Sequence, residues 1–183
     1  VGWCPFNEGG PRPDPQMQTD VVRMVRSLDP TRPVLDSSGY YHYDTDVYDC
    51  HDYEQSPEAF AAHHAAFGGD GEPFANHPGQ TPYAGEPFMV SEYGGIWWNP
   101  DRSGDDGSWG YGPRPRSERA FLQRYRKLTR ALLDHPRMAG FCYTQLYDVE
   151  QEVNGLLTYD RRHKFDPEAI ARANRRTAAI EKD

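Results

Sequence analysis

Short apolar runs alternate with amphipathic segments along the whole chain. The apolar runs have strand length and end in polar residues, and they occupy residues 1–8, 33–39, 46–53, 87–95 and 140–148. The segments between them either repeat apolar side chains near a 3.6-residue period or are rich in Ala, which predicts helices over residues 16–28, 57–67, 117–134 and 167–180. Strands that alternate with helices imply parallel strands with right-handed crossovers. The pattern therefore predicts an α/β fold.

Two of the strand-like runs end in the same way, with a glutamate followed by two glycines. Glu92 closes one run and Glu8 closes another. A lone strand-end glutamate most often caps a loop or pairs with an arginine. In parallel α/β folds, however, substrates bind at the C-terminal ends of the strands. Two carboxylates at such ends are the equipment of a retaining glycosidase, in which one is the nucleophile and the other is the general acid and base.

The architecture that suits this order of elements is a barrel. The sequence has neither G-x-G-x-x-G nor a P-loop, so an open nucleotide-binding sheet is disfavoured. A complete eight-unit barrel usually needs about 250 residues, whereas this chain has 183. We expect a partial (β/α)8 TIM barrel that contains strands 4 to 8, with the first three strands absent. Residues 1–183 would then form the C-terminal portion of a longer catalytic barrel.

Composition narrows the classes of partner. A net charge of −8 argues against nucleic acid and an anionic membrane surface. No apolar run approaches the roughly 20 residues of a membrane span, and no signal peptide is visible. The 12 Tyr, 8 Phe and 4 Trp suit either sugar platforms or an aromatic core. Three cysteines without C-x-x-C spacing are expected to be reduced core thiols, which favours a cytoplasmic location without establishing it.

Five strand-end motifs occur in one order along nearly the whole chain. They are Trp3…Asn7-Glu8-Gly9, Asp36-Ser37-Ser38-Gly39, Asp49-Cys50-His51-Asp52-Tyr53, Ser91-Glu92-Tyr93-Gly94-Gly95 and residues 140–155. Together they resemble the catalytic barrel of glycoside hydrolase family 2, the β-galactosidase and β-glucuronidase group. The resemblance implies an enzyme that cleaves terminal β-glycosidic bonds in a carbohydrate substrate, without a cofactor or a metal ion.

The resemblance also implies roles for single residues. Glu8 would be the acid/base and Glu92 the nucleophile of a double displacement that retains anomeric configuration. Asn7 would contact the sugar 2-hydroxyl, although an Asn before glycines is also an ordinary turn residue. Tyr53 would place its hydroxyl near the nucleophile, and His51 would contact substrate from the same strand end.

One motif departs from the family pattern. Many members end the eighth strand with a Trp under the sugar, whereas residues 143–148 contain none. Gln145 or Asp148 is therefore expected to bind the sugar instead, and the identity of the sugar stays open. The long loop over residues 96–115 carries Trp97 and two further tryptophans. It is expected either to cover aglycone subsites or to pack on the helix that begins at Ser117.

The sequence argues against a metal site and against a serine hydrolase. A metal site at Asp49, His51 and Asp52, helped by the His63-His64 pair, matches no ligand spacing, and sequential histidines should point to different sides of a helix. A serine hydrolase would need a G-x-S-x-G elbow, which is missing.

A different class remains as the alternative, namely a catalytically inactive fragment or a carbohydrate-binding module. An open half-barrel would expose strand edges. We therefore expect self-association or dependence on the missing N-terminal part of the barrel.

Overall fold

Strands and helices alternate as the sequence pattern predicts. The structure is a computed structural model, and it describes residues 1–9, 12–100 and 107–182. In chain order the elements are β1 (Phe6–Asn7), α1 (Pro15–Leu28), β2 (Ser37–Ser38), β3 (Tyr48–Asp52), α2 (Pro57–Ala65), β4 (Phe88–Gly94), α3 (Glu118–Leu133), β5 (Met138–Thr144) and α4 (Pro167–Asn174). Gly10, Pro11 and residues 101–106, which belong to predicted turns and loops, lie outside the described residues.

Within the described part of the chain, the pairs among β1 to β5 are parallel and form two sheets. One sheet pairs β1 with β2, and the other has the order β3-β4-β5. Because the strands within each sheet are parallel, their C-terminal ends meet at one edge. The predicted α/β class is confirmed, whereas membership of a barrel stays a prediction.

The main core lies between the larger sheet and helices α2 and α3. Its fully buried side chains include Phe60, Val90, Tyr93, Phe121 and Leu128. The register of β3 against β4 shifts between Cys50 and His51, so that His51 pairs with Glu92. Such bulges re-aim side chains near functional sites.

The helices begin at side-chain caps. The predicted cap Ser117 accepts a hydrogen bond from the Ala120 N–H, and Asp14, Ser56 and Asp166 cap the other three helices in the same way. The last helix ends at Asn174, earlier than predicted, and residues 179–181 form a separate 3-10 turn. Helix α4 has no buried residue, so little packing against the core stabilises further helical turns beyond Asn174. Among the described residues, no helix has the length and apolarity needed to span a membrane.

The prediction of three core cysteines is wrong for two of them. Only Cys50 is buried, whereas Cys4 and Cys142 are exposed, and all three are free thiols. Cys4 precedes the two-residue strand β1, and Cys142 lies on the exposed side of β5. The apolar runs therefore predicted strands near both cysteines, but they did not show which side chains pack against the core and which face solvent.

Candidate active site

Glu8 follows directly after β1, at the C-terminal end of the smaller sheet. Its backbone N–H donates to the Ser38 carbonyl at 3.1 Å, which continues the pairing with β2. Its φ of 43° turns the chain at this point. The Glu8 side chain is 52% exposed, so solvent and a ligand can reach the carboxylate.

Glu92 lies near the C-terminal end of β4, in a more enclosed place. Its side chain is 24% exposed. Oε2 accepts a hydrogen bond from the Tyr53 hydroxyl and a longer one, at 3.4 Å, from Thr144 Oγ1. Burial and the contact with Glu92 raise the pKa of Tyr53, so the phenol stays protonated and acts as a donor. Oε2 of Glu92 therefore has two hydroxyl donors.

His51 lies between the two glutamates. Its Nδ1 is 2.7 Å from Glu8 Oε1, and its Nε2 is 3.6 Å from Glu92 Oε1. One carboxylate oxygen of each glutamate and one ring nitrogen of His51 all lie within 4.8 Å of one another. Four residues predicted at the site, Glu8, His51, Tyr53 and Glu92, are therefore brought together.

The same three side chains have the spacing of a metal site. Within the described part of the chain, this is the one group of three or more His, Cys, Asp or Glu side chains whose donor atoms lie close enough together to surround an ion. The 2.7 Å contact from His51 Nδ1 to Glu8 is, however, a direct hydrogen bond. Glu92 Oε1 is 3.6 Å from His51 Nε2, beyond hydrogen-bond distance, and the expectation of no metal ion at these residues stays a prediction.

The weighed metal site at the end of β3 has a different arrangement. Asp52 Oδ2 lies 2.9 Å from His63 Nδ1 and 3.0 Å from His64 Nε2. The expectation that the two histidines point to different sides is wrong, because each reaches the same carboxylate through a different ring nitrogen. Asp52 therefore ties the end of β3 to α2.

The Trp-rich loop reaches the site through Tyr111. The Tyr111 ring stacks on Tyr53 with centroids 3.6 Å apart, and Trp109 meets Tyr111 edge-on at 5.9 Å. Trp97 is held within its own loop, since Nε1 donates to Ser108 at 3.2 Å and Arg114 lies over its ring. The predicted substrate contact of Trp97 stays a prediction.

Three further residues were predicted to bind the sugar, namely Asn7, Gln145 and Asp148. Asn7 is exposed beside Glu8. Gln145 Nε2 donates to Asn154 Oδ1 at 2.9 Å. Asp148 is buried and accepts hydrogen bonds from Lys164 Nζ at 2.6 Å and from the Gly155 N–H at 2.9 Å. These contacts engage Gln145 and Asp148 within the segment that follows β5, and their predicted contact with sugar stays untested.

Three side chains at the site were missed by reasoning from the sequence. Ser38 contacts His51 and Thr144 contacts Glu92, and the two residues end the observed strands β2 and β5. The strand-end rule that selected the glutamates would have found them. Tyr111 lies in a loop, where no periodic signal indicates its partner.

A cluster of buried charged side chains lies behind Ser38, which contacts His51. His42 lies 2.7 Å from Asp36 Oδ1 and 3.1 Å from Asp49 Oδ1. Burial alone would lower the pKa of His42, but its hydrogen bonds and charge interactions with the two aspartates raise it to about 10. An imidazolium between two carboxylates is a satisfied arrangement for buried charges. Gln18 of α1 joins the cluster by donating to Asp36 Oδ2 at 2.8 Å.

Comparisons with known proteins place the fold. No protein-family model matches the chain, and no curated protein matches it. Solved structures do. The GH2 β-galacturonidase of Eisenbergiella tayi, bound to galacturonate, aligns over 94% of this chain with a TM-score of 0.64 at 17% identity. The β-D-glucuronidase of Dictyoglomus thermophilum aligns over 100% with a TM-score of 0.65 at 17% identity.

The β-glucuronidase of Faecalibacterium prausnitzii also aligns over 97% of this chain, with a TM-score of 0.63 at 20% identity. This chain spans about a third of each of these structures, 33%, 33% and 32% in the same order. At this level of identity the likeness shows the fold: the chain has the fold of part of these glycoside hydrolases.

Proposed function

We propose that this chain is the C-terminal part of the catalytic barrel of a glycoside hydrolase of family 2, and that Glu8 and Glu92 hydrolyse terminal β-glycosidic bonds with retention. The observation that carries the proposal is the approach of two carboxylates on either side of His51, within 4.8 Å. Retaining enzymes hold their carboxyl groups about 5–5.5 Å apart and inverting enzymes about 6.5–9.5 Å apart. One carboxylate oxygen of Glu8 and one of Glu92 lie within 4.8 Å of each other, which supports the retaining class.

The first step assigns a different role to each glutamate. The ionised Glu92, supported by the Tyr53 hydroxyl, attacks the anomeric carbon and forms a carbon–oxygen bond to it. The bond from that carbon to the leaving oxygen breaks, and Glu8 gives its proton to this oxygen. The more exposed carboxylate is thus the one that exchanges protons.

The second step regenerates both groups. Glu8, now ionised, takes a proton from water, and the water oxygen attacks the anomeric carbon and displaces Glu92. The sum of the two steps adds one water across the glycosidic bond. Asn7, Gln145, Asp148 and Trp97 are the proposed contacts to the sugar and its leaving group.

A second candidate is a non-catalytic sugar-binding chain. Such a chain would share the fold of the matching enzymes without their catalysis. Both candidates bind carbohydrate, but only the catalytic one forms a covalent bond at Glu92.

Covalent trapping separates the two candidates. The chain is incubated with a panel of 2-deoxy-2-fluoro-β-glycosyl fluorides of gluco, galacto, manno and glucurono configuration, and its peptides are analysed by mass spectrometry. We expect one glycosyl adduct, on Glu92, that is absent in Glu92→Gln and retained in the control Glu86→Gln. No adduct with any member of the panel, or an adduct that persists in Glu92→Gln, contradicts catalysis by Glu92.

A further inference from the structure

The side of His51 that faces away from Glu8 contacts a buried hydroxyl. Ser38 Oγ is 2.9 Å from His51 Nε2, and it is also 3.0 Å from Ser91 Oγ and 3.3 Å from Asp49 Oδ2. All four residues are buried. Each nitrogen of the His51 ring therefore has one close partner, a carboxylate on one side and a hydroxyl on the other.

The groups behind Ser38 limit what its hydroxyl can do. Asp49 accepts hydrogen bonds from the Ser91 hydroxyl and from the Gly39 N–H at 3.0 Å, and it pairs with His42 at 3.1 Å. In these contacts Asp49 acts as an acceptor, which is the role of a carboxylate. The Ser38 hydroxyl has one proton to donate, and its acceptors are His51 Nε2 at 2.9 Å, Ser91 Oγ at 3.0 Å and Asp49 Oδ2 at 3.3 Å, of which Nε2 is the nearest.

The His51 ring is fixed in orientation. Gly39 has φ +62°, and a Cβ there would lie 2.3 Å from the ring, so the ring packs directly on this backbone. Asn76 holds the His51 backbone through both its N–H and its carbonyl, each at 2.8 Å. The close packing on Gly39 and the Asn76 contacts restrict the ring, with Nδ1 facing Glu8 and Nε2 facing Ser38.

The titratable groups around the ring are few. Glu8 comes from the end of β1, Glu92 from β4 and Tyr53 from the end of β3, while Asp49 lies behind Ser38. Glu92 is 3.6 Å from Nε2, farther than the Ser38 hydroxyl. A neutral ring facing an ionised Glu8 must carry its proton on Nδ1, which leaves Nε2 as an acceptor.

We propose that Ser38 is a positioning residue for the acid/base: its hydroxyl donates to Nε2 and holds His51 as the neutral tautomer protonated on Nδ1. The Nδ1–H then occupies Glu8 Oε1 in both protonation states of Glu8. The exchangeable proton is confined to Oε2, the oxygen left free for the leaving group. This role deepens the proposed function and rests on it.

The backbone of Ser38 serves the same carboxylate. Its carbonyl accepts the Glu8 N–H at 3.1 Å, so one residue fixes the main chain of Glu8 directly and its side chain through His51. Ser37, the preceding residue, is equally buried but its hydroxyl has no partner among the described residues. The two serines therefore form a matched pair for an experiment.

The tautomer can be measured without turnover. Long-range 1H–15N spectra of the 15N-labelled chain report the state of each ring nitrogen, and His51→Gln identifies the His51 signals. We expect protonated Nδ1 and unprotonated Nε2 near neutral pH in the wild type and in Ser37→Ala. In Ser38→Ala, Nε2 loses its donor and the ring should become doubly protonated between the two carboxylates. Ser38→Thr, which keeps the hydroxyl, should restore the neutral ring.

Turnover supplies a second readout. An imidazolium beside Glu8 favours its ionised form, so the basic limb of the kcat/KM profile should move down by about one pH unit in Ser38→Ala. Ser37→Ala should leave it in place. A doubly protonated or Nε2-protonated ring in the wild type overturns the proposal, as does a Ser38→Ala spectrum identical to wild type. Because the spectra require no catalysis, they separate this outcome from a failure of the proposed function.

Discussion

At the scale of single residues, the two glutamates differ in how they are surrounded. Glu92 is one-quarter exposed and accepts from Tyr53 and Thr144, whereas Glu8 is half exposed and contacts His51. Donors around a carboxylate hold it ionised, and access to solvent allows proton exchange. The environments therefore divide the roles of nucleophile and acid/base as the proposed mechanism requires.

Replacing Tyr53 with Phe should impair the nucleophile selectively. The variant removes the hydroxyl that donates to Glu92 Oε2 while the ring can still stack on Tyr111. A hydrogen bond to a charged group contributes about 1.5–3 kcal/mol, so kcat/KM should fall about tenfold or more. The acid limb of its pH profile should move to higher pH, because ionised Glu92 has lost a donor. The control Tyr159→Phe, at an exposed position, should match wild type, and an unchanged profile in Tyr53→Phe would remove this role.

The sequence could identify the residues that stand at strand ends but not their partners. Glu8 and Glu92 were predicted because parallel strands bring their C-terminal ends together, whereas His51 and Tyr53 were predicted from the family resemblance. The stacking of Tyr111 on Tyr53 and the link from Ser38 to His51 depend on how separate segments pack. No local period encodes such contacts.

At the scale of elements, the His42 cluster joins α1, β2 and β3 below the site. Gln18 and Asp36 contact each other, and His42 links Asp36 to Asp49. These polar groups are buried and mutually satisfied, so the cluster specifies how the two sheets sit against α1. Its charge also couples stability to pH.

The stabilisation from His42 should be lost as the pH rises. An unfolded histidine titrates near 6.5, whereas the aspartates raise the pKa of folded His42 to about 10, against the effect of burial. The folded chain therefore holds more protons between these values, and the contribution of His42 is complete below about pH 6.5 and declines above it. Urea unfolding should show a steeper fall in the free energy of unfolding between about pH 7 and 9 in wild type than in His42→Gln.

His163 provides the control for this measurement. It is exposed, so His163→Gln should keep the wild-type slope. Equal slopes in wild type and His42→Gln would show that His42 is not charged in the folded state.

Gly94 lets β4 and β5 approach just beyond Glu92. Its φ is +82°, and an added Cβ would lie 2.3 Å from the Tyr143 ring. Gly79 has nearly the same φ, +81°, but its nearest neighbour would be 3.9 Å away. Both alanine variants carry the backbone strain, and only Gly94→Ala adds overpacking. Gly94→Ala should lower the free energy of unfolding by about 1–3 kcal/mol more than Gly79→Ala in urea titrations, and equal losses would contradict this packing.

Helices were predicted more closely than strands. The caps and apolar period of α1 and α3 fix their ends within a residue or so. Strands β1 and β2 have only two residues each. The apolar runs that predict β1 and β2 are longer than the segments that form hydrogen bonds between strands. The length of the paired segment depends on the partner strand, which a local apolar run does not indicate.

At the scale of the whole molecule, the two sheets leave strand edges and apolar side chains uncovered. Among the described residues, β1 pairs only with β2 and β5 only with β4. Met24 and Leu28 on α1 are 54% and 79% exposed. Uncovered edges and apolar faces promote association.

We therefore predict that the 183-residue chain self-associates. Its sedimentation coefficient should rise with concentration, and Leu28→Glu should weaken the rise more than Ile180→Glu, which alters a less exposed position. A concentration-independent monomer would contradict the prediction.

The central claim is that Glu8 and Glu92 act as a retaining pair, and the configuration of the first sugar released tests it most directly. 1H NMR can follow hydrolysis of an aryl β-glycoside from the panel before the anomers equilibrate. We expect the β-anomer first, in wild type and not in Glu92→Gln. Initial release of the α-anomer, or hydrolysis that survives in Glu92→Gln, would contradict it.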